Sequence, residues 1–147
     1  MHKQRLELMI DMLKEVDAGT WRVSVRLTPH EVAELHGGDI GFDLGEWLNN
    51  YETEAVSDDL DCDCTACAVG HAMLDKRFED QGLVSFNMGA PMYDGIIGWW
   101  GVCDFFGLER DDADALFDIN SYADEFRHDP LAVADRIREF IKFGRYP

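Results

Sequence analysis

Residues 96–108, Ile-Ile-Gly-Trp-Trp-Gly-Val-Cys-Asp-Phe-Phe-Gly-Leu, carry a single charge, on Asp104. A helix at the surface of a globule needs a polar stripe opposite its apolar one, and this run has none. It therefore predicts a central buried helix, closed by Gly107, a residue that readily takes the left-handed conformation of a helix C-terminus. Trp99 and Trp100 fall inside it. Adjacent tryptophans in so apolar a setting are expected in the core, with an exposed binding patch as the alternative.

The segments on either side build the rest of the fold. After Gly107 comes a short helix with Ala113, Leu116 and Phe117 facing inward and Asp111, Asp112 and Asp114 outward. The last helix has the fullest set of signals. Asp129 is its N-cap, Pro130 its first residue, and Leu131, Val133, Ile137, Phe140 and Ile141 recur at three- and four-residue spacings before Gly144. Upstream, Leu83–Phe86 reads as a short strand, followed by a Gly-Pro turn in Gly89-Ala90-Pro91, and Thr65 to about Leu74 reads as a helix. At the N-terminus, Leu6, Met9, Ile10, Leu13 and Val16 form an amphipathic helix stopped by Gly19. Trp21, Val23, Val25 and Leu27 then alternate with Arg22, Ser24 and Arg26, a period-two pattern that predicts a short strand. Thr28, Pro29 and Glu31 have the spacing of a capping box opening one more short helix. Phe42, Leu44, Trp47 and Leu48 look anchored, and the acidic run to Asp63 reads as an exposed loop. The expectation is one globular domain over 1–147, mainly α, with about five helices and a minor β element.

At 147 residues the chain is long enough for a real hydrophobic core, and 46% apolar residues is too high for a disordered one. No apolar run approaches the ~20 residues of a membrane span. The first residues lack the uninterrupted apolar stretch of a secretory signal, so a cytoplasmic protein is expected. In that compartment cysteines persist as thiols or metal ligands.

Charge is the most extreme property. The net charge is −17, and residues 31–125 hold twenty-three acidic against three basic side chains, while both flanks are slightly positive. Such a surface repels nucleic acid and attracts a basic patch on another protein. The plainer role of acidic residues is solubility.

Cys62, Cys64, Cys67 and His71 lie within ten residues of one another, beside Asp61 and Asp63. Three readings compete. They have the chemistry of a zinc site, with Cys103 able to replace one ligand, but four ligands in one segment lack the paired knuckles of a zinc ribbon. Cys67 and His71, four apart on one helical face, form a candidate thiolate dyad; acidic neighbours would oppose it by raising the thiol pKa. The structural reading makes Cys67 a small core residue and Gly70 a point of close helix contact, with His71 hydrogen-bonded at the core edge.

The order Phe42, Asp43, Trp47, then Cys62, Ala66, Cys67, Ala68, Gly70, His71, Ala72, resembles a family of small uncharacterised proteins of tailed bacteriophages. The likeness continues through Phe78, Gly82, Leu83, the Phe106-Gly107-Leu108 helix end, Leu116, Phe117 and the terminal Val133, Ala134, Arg136, Ile137. It divides the chain into a family-like helical core, 42–147, and an N-terminal extension, 1–41, within which Trp21–Gly38 looks inserted. Asp63 stands where the family pattern has glycine, and Cys64 is an additional thiol. The resemblance implies a structural role for the Cys62–Cys67 pair. It implies no activity, catalytic residue or cofactor.

The phage context and the acidity together predict an inhibitor of a host nucleic-acid-binding protein, imitating DNA in a basic groove, rather than an enzyme. A restriction enzyme, a CRISPR effector complex or RNA polymerase would present such a groove. The candidate partner-binding residues are Glu46, Glu52, Glu54, Asp58, Asp59, Asp61 and Asp63 on the loop, and Asp111, Asp112, Asp114 and Asp118 on the short helix. The alternatives are an interaction module, zinc-stabilised or purely structural, and, as the weakest, a hydrolase or transferase using Cys67 and His71. Neither direct nucleic-acid binding nor a membrane association is expected.

Overall fold

A computed structural model of the chain describes residues 1–25, 41, 42, 44, 47, 65–86 and 89–144. In chain order its elements are α1 (Lys3–Ala18), β1 (Gly41–Phe42), β2 (Thr65–Ala66), α2 (Ala68–Ala72), α3 (Lys76–Glu79), β3 (Val84–Phe86), β4 (Ala90–Tyr93), β5 (Ile96–Ile97), α4 (Trp99–Phe106), α5 (Arg110–Phe117) and α6 (Pro130–Phe143). Two 3₁₀ turns, Ile119–Ser121 and Asp124–Phe126, link α5 to α6. The fold is mainly α with a minor β element, and the six α-helices among the described residues compare with about five expected. None of these helices is long and apolar enough to cross a membrane. The expected helix at Thr28 lies outside the described residues, as do Leu27 and Leu48.

Helix α1 buries Leu6, Met9, Ile10, Met12 and Leu13 and ends as its sequence predicts. Gly19 takes φ 74°. Its N–H donates to the Val16 carbonyl, and that of Thr20 donates to Glu15, which is the pairing of a Schellman motif. The main helix–helix partner of α1 is α6. Asp129 Oδ1 caps α6 by accepting from the Leu131 and Ala132 N–H groups at 3.0 and 3.3 Å, with Pro130 at N1 and Gly144 closing it. Its buried face is Pro130, Val133, Ala134, Ile137 and Phe140, while Leu131 faces solvent against expectation.

Residues 96–108 do not form one helix. Asp94 and Gly95 both have positive φ, 52° and 79°, the signature of a two-residue type I′ hairpin turn. They fold Ile96–Ile97 back on Tyr93 and Met92 as β5. Gly98 then takes φ 82° and α4 starts at Trp99, ending on Gly107 as expected. The three strands form one antiparallel sheet in the order β3–β4–β5. Pro91, read from sequence as part of a turn, is instead in its middle strand. Pro91 pairs with Ser85 on β3, and its carbonyl accepts from Gly98 on the other side, 2.8 Å away. A strand residue's N–H and C=O point the same way, so the missing proline N–H falls on the β5 side, leaving the β3 ladder intact.

Helix α4 packs tightly on this hairpin. A Cβ on Gly101 would collide with the Ile96 carbonyl oxygen, so only glycine permits the approach. From there a chain of rings crosses the core. Tyr93 meets Phe105 edge-on at 5.2 Å, Phe105 meets Phe106 at 4.9 Å, and Phe106 meets Phe117 of α5 at 5.4 Å. Helix α5 buries Ala113, Leu116 and Phe117, as its spacing predicts.

Residues 21–25 form no strand, which corrects the period-two reading. Their alternation survives in burial alone: Trp21 is buried, Val23 and Val25 half-buried, Arg22 and Ser24 exposed. The backbone bonds to a turn instead of a ladder. Ser24 N–H donates to the Leu74 carbonyl at 3.0 Å, and Lys76 N–H donates to Ser24 Oγ at 2.7 Å.

Candidate binding surface and the Cys67–His71 region

The helix expected from Thr65 starts three residues later. Thr65 and Ala66 pair in parallel with Gly41 and Phe42, and this extended backbone cannot be helical. Cys67 is therefore the N-cap of α2, with extended backbone at φ −76°, ψ −176°. This corrects the shared helical face on which the dyad reading rested.

His71 is fully buried. Its ring stands edge-on to Trp21 at 4.6 Å and tilted to Phe42 at 5.8 Å. Nδ1 lies 3.0 Å from the Cys67 carbonyl oxygen, and a carbonyl only accepts, so Nδ1 carries the proton. Of the other proposed zinc ligands, Cys62 and Cys64 lie outside the described residues. Cys103 is buried on α4, and burial pushes its thiol up from the ordinary value, with Asp114 and Asp104 adding to the rise and Arg110 opposing it. Among the described residues no three His, Cys, Asp or Glu side chains gather as a metal would require.

A second polar cluster escaped sequence reading. Asp75, 2% exposed, accepts from Trp21 Nε1 at 3.0 Å and from Arg77 through Nε (3.0 Å), NH2 (2.7 Å) and the backbone N–H (2.9 Å). Arg77 reaches on to Glu15 of α1 at 2.8 and 3.2 Å. Burial raises the Asp75 carboxyl, but the Arg77 guanidinium, the Arg77 N–H and the Trp21 indole together hold it below the usual carboxylate value. The Arg77 guanidinium is held above its own ordinary value, chiefly by its hydrogen bond to Asp75, against burial, with Glu15 adding to the rise. Each bond here is used in joining α1, residues 21–25 and α3, which is a structural arrangement. The signal for it was Asp75 standing just before a helix start, an N-cap position.

The acidic candidates on α5 divide. Asp111 is exposed and Asp112 half-buried, both in the first turn. Asp114 accepts from Arg110 Nε at 2.8 Å, and Asp118 Oδ1 accepts from Asn120 N–H at 2.9 Å, capping the 3₁₀ turn. Two of the four carboxylates are thus engaged within the fold. Glu46, Glu52, Glu54, Asp58, Asp59, Asp61 and Asp63 lie outside the described residues.

Apolar surface accompanies the acidic one. Trp100 is 61% exposed, correcting its expected place in the core, because α4 turns Gly101 and Phe105 to the hairpin and leaves Trp100 on the open side. By strand register, Val84, Phe86, Ala90, Met92 and Ile97 share one face of the sheet, with no charged residue among them. Phe86 and Ile97 are 41% and 46% exposed. Around the far side of α4, Trp99 and Trp47 stand 5.6 Å apart at 59°, beside a cleft of about 250 Å³.

No family model, curated protein or solved structure matches the chain.

Proposed function

We propose that the protein is an acidic binding protein that occupies the basic groove of a host nucleic-acid-binding protein, in the manner of a DNA mimic. The observation that carries this reading is the partition of charge, with twenty-three acidic and three basic side chains between residues 31 and 125. Asp111, turned outward at the start of α5, and Asp112 beside it belong to that acidic region. Protein grooves for nucleic acid are shaped to neutralise a dense row of phosphates, and a carboxylate-rich globule engages the same lysines and arginines. The phage-family resemblance supplies the setting, in which a restriction enzyme, a CRISPR effector complex or RNA polymerase is the target.

The test is capture of host proteins on the tagged chain, followed by affinity measurement against salt for the captured protein. Binding that weakens steeply between about 50 and 200 mM salt, and competition by duplex DNA, are the expected results. Affinity that stays flat over that range would sink the proposal.

A second reading has its own support. Trp100 and the sheet face of Phe86 and Ile97 offer apolar area of the kind that anchors protein interfaces, and an interaction module held by such contacts would bind independently of salt.

A further inference from the structure

Residues 43–64 carry eight carboxylates and no lysine or arginine. The chain on either side of this stretch is fixed. Gly41 and Phe42 pair with Thr65 and Ala66, which sets the start and the end of the stretch on neighbouring strands. Two more hydrogen bonds reach its entry side from residues 127–128. The His128 ring Nδ1 lies 2.8 Å from the Phe42 carbonyl oxygen, and a carbonyl only accepts, so Nδ1 donates. The Leu44 N–H donates to the Arg127 carbonyl at 2.9 Å. We propose that His128 is a positioning residue, which acts through Phe42 to hold the acidic stretch 43–64 in place for a basic protein partner. The inference rests on the acidic-binding reading above.

The clamp stands on a fixed base. The Arg127 N–H donates to the Asp124 carbonyl at 3.2 Å and the Asp129 N–H to the Phe126 carbonyl at 3.0 Å. Asp129 in turn caps α6, so residues 127–128 are held between a 3₁₀ turn and a helix start. Beyond the clamp, Leu44 is 4% exposed and the Trp47 ring meets Trp99 at 5.6 Å, which ties the beginning of the stretch to the core at two further points. His128 itself is exposed, and its bond to Phe42 spans 86 positions, so the bond serves the placement of the distant segment. Binding residues commonly sit on loops carried by such a scaffold. Like charges repel, and fixing both ends opposes the spreading of the eight carboxylates. A stretch held before encounter also loses less conformational freedom on binding, which strengthens the complex.

Three measurements on the full chain test the clamp: hydrogen exchange at the Leu44 amide, cleavage within 43–64 by a glutamate-specific endoproteinase, and binding of oligolysine. In His128→Ala, exchange and cleavage are expected to rise about five- to tenfold, the effect of one lost hydrogen bond. Oligolysine should bind severalfold more weakly, while the melting temperature stays close to wild type because the side chain is exposed. His128→Asn places a side-chain N–H near the position of Nδ1–H and should restore all three. If alanine lowers the melting temperature markedly, His128→Leu, of similar bulk and with no donor, takes its place. Unchanged exchange and cleavage in the donorless variant would overturn the proposal, and so would faster exchange with oligolysine binding unaltered; the acidic-binding reading survives both. Failure of the wild-type chain itself to bind oligolysine would remove that reading, and the positioning role with it.

Discussion

Trp21 and Asp75, fifty-four positions apart in the chain, are joined by a hydrogen bond of 3.0 Å from the indole Nε1 to Oδ2. With Arg77 bridging Asp75 to Glu15, this one carboxylate holds the end of α1, the segment after it and the start of α3 together. Replacing Asp75 with alanine leaves Trp21 Nε1 without its acceptor and the Arg77 guanidinium with Glu15 in place of two carboxylates. Removing one partner of a buried pair costs about 3–5 kcal/mol, and with Arg77 40% exposed the lower end applies, about 3 kcal/mol. Trp21→Phe keeps the ring and loses the bond, at about 1.5–3 kcal/mol. Urea denaturation of both variants checks the order.

The same carboxylate makes the fold acid-sensitive. Its folded pKa lies below the unfolded value of about 3.9, so the unfolded chain binds the proton more readily. Its contribution is complete above that unfolded value and is lost as pH falls through the folded one. Asp75→Asn should therefore be less stable than wild type at neutral pH and show a shallower loss below about pH 4. Melting temperatures measured across that range would reveal the difference in slope.

Gly101→Ala tests the contact of α4 with the hairpin. The added methyl meets backbone, the Ile96 carbonyl, which cannot rotate away as a side chain would. A loss of about 2–3 kcal/mol is expected despite alanine's better helix propensity. A neutral or stabilising result in thermal denaturation would contradict the close approach.

Trp100→Ala separates binding from folding. The residue is 61% exposed, and its contact with Arg110, 5.8 Å from the ring centroid, is worth at most about 1 kcal/mol. Stability should barely change. If the salt-independent apolar reading is correct, partner affinity falls tenfold or more, as for an aromatic anchor; the host-groove reading expects little change.

His71→Ala removes a fully buried ring from between Trp21 and Phe42, and a loss of about 3 kcal/mol is expected, as for other large-to-small core changes. A chelator should leave the wild-type melting temperature unchanged, because among the described residues no three possible metal ligands gather at His71. A large drop on chelation, reversed by zinc, would instead establish the zinc-stabilised module.

Much of the helical architecture was legible from local pattern. In α1, α5 and α6 the apolar spacing identified most of the buried face, and Gly19, Gly107 and Gly144 each stop a helix in the left-handed conformation foreseen for them. The hairpin was legible too and was missed. Asp94-Gly95 between Tyr93 and Ile96 is a strong short-range turn signal, but the apolar run after it places the helix start three residues too early, across β5. On the candidate site, the sequence marked Cys67, His71 and the tryptophans as notable residues without placing them.

The helix stops, the N-cap at Asp129 and the inward faces of α1, α5 and α6 follow from the sequence by itself, because each depends on residues within a turn or two of one another. Tertiary structure alone decided that Thr65–Ala66 is extended, since its hydrogen-bond partners are Gly41 and Phe42. It decided equally that Trp21 and Asp75 meet, that Trp47 lies beside Trp99, and that Trp100 points to water while Phe105 does not. Those outcomes depend on which surface a distant element covers. Periodicity along one segment identifies an apolar residue, and only packing determines which apolar residues are left uncovered.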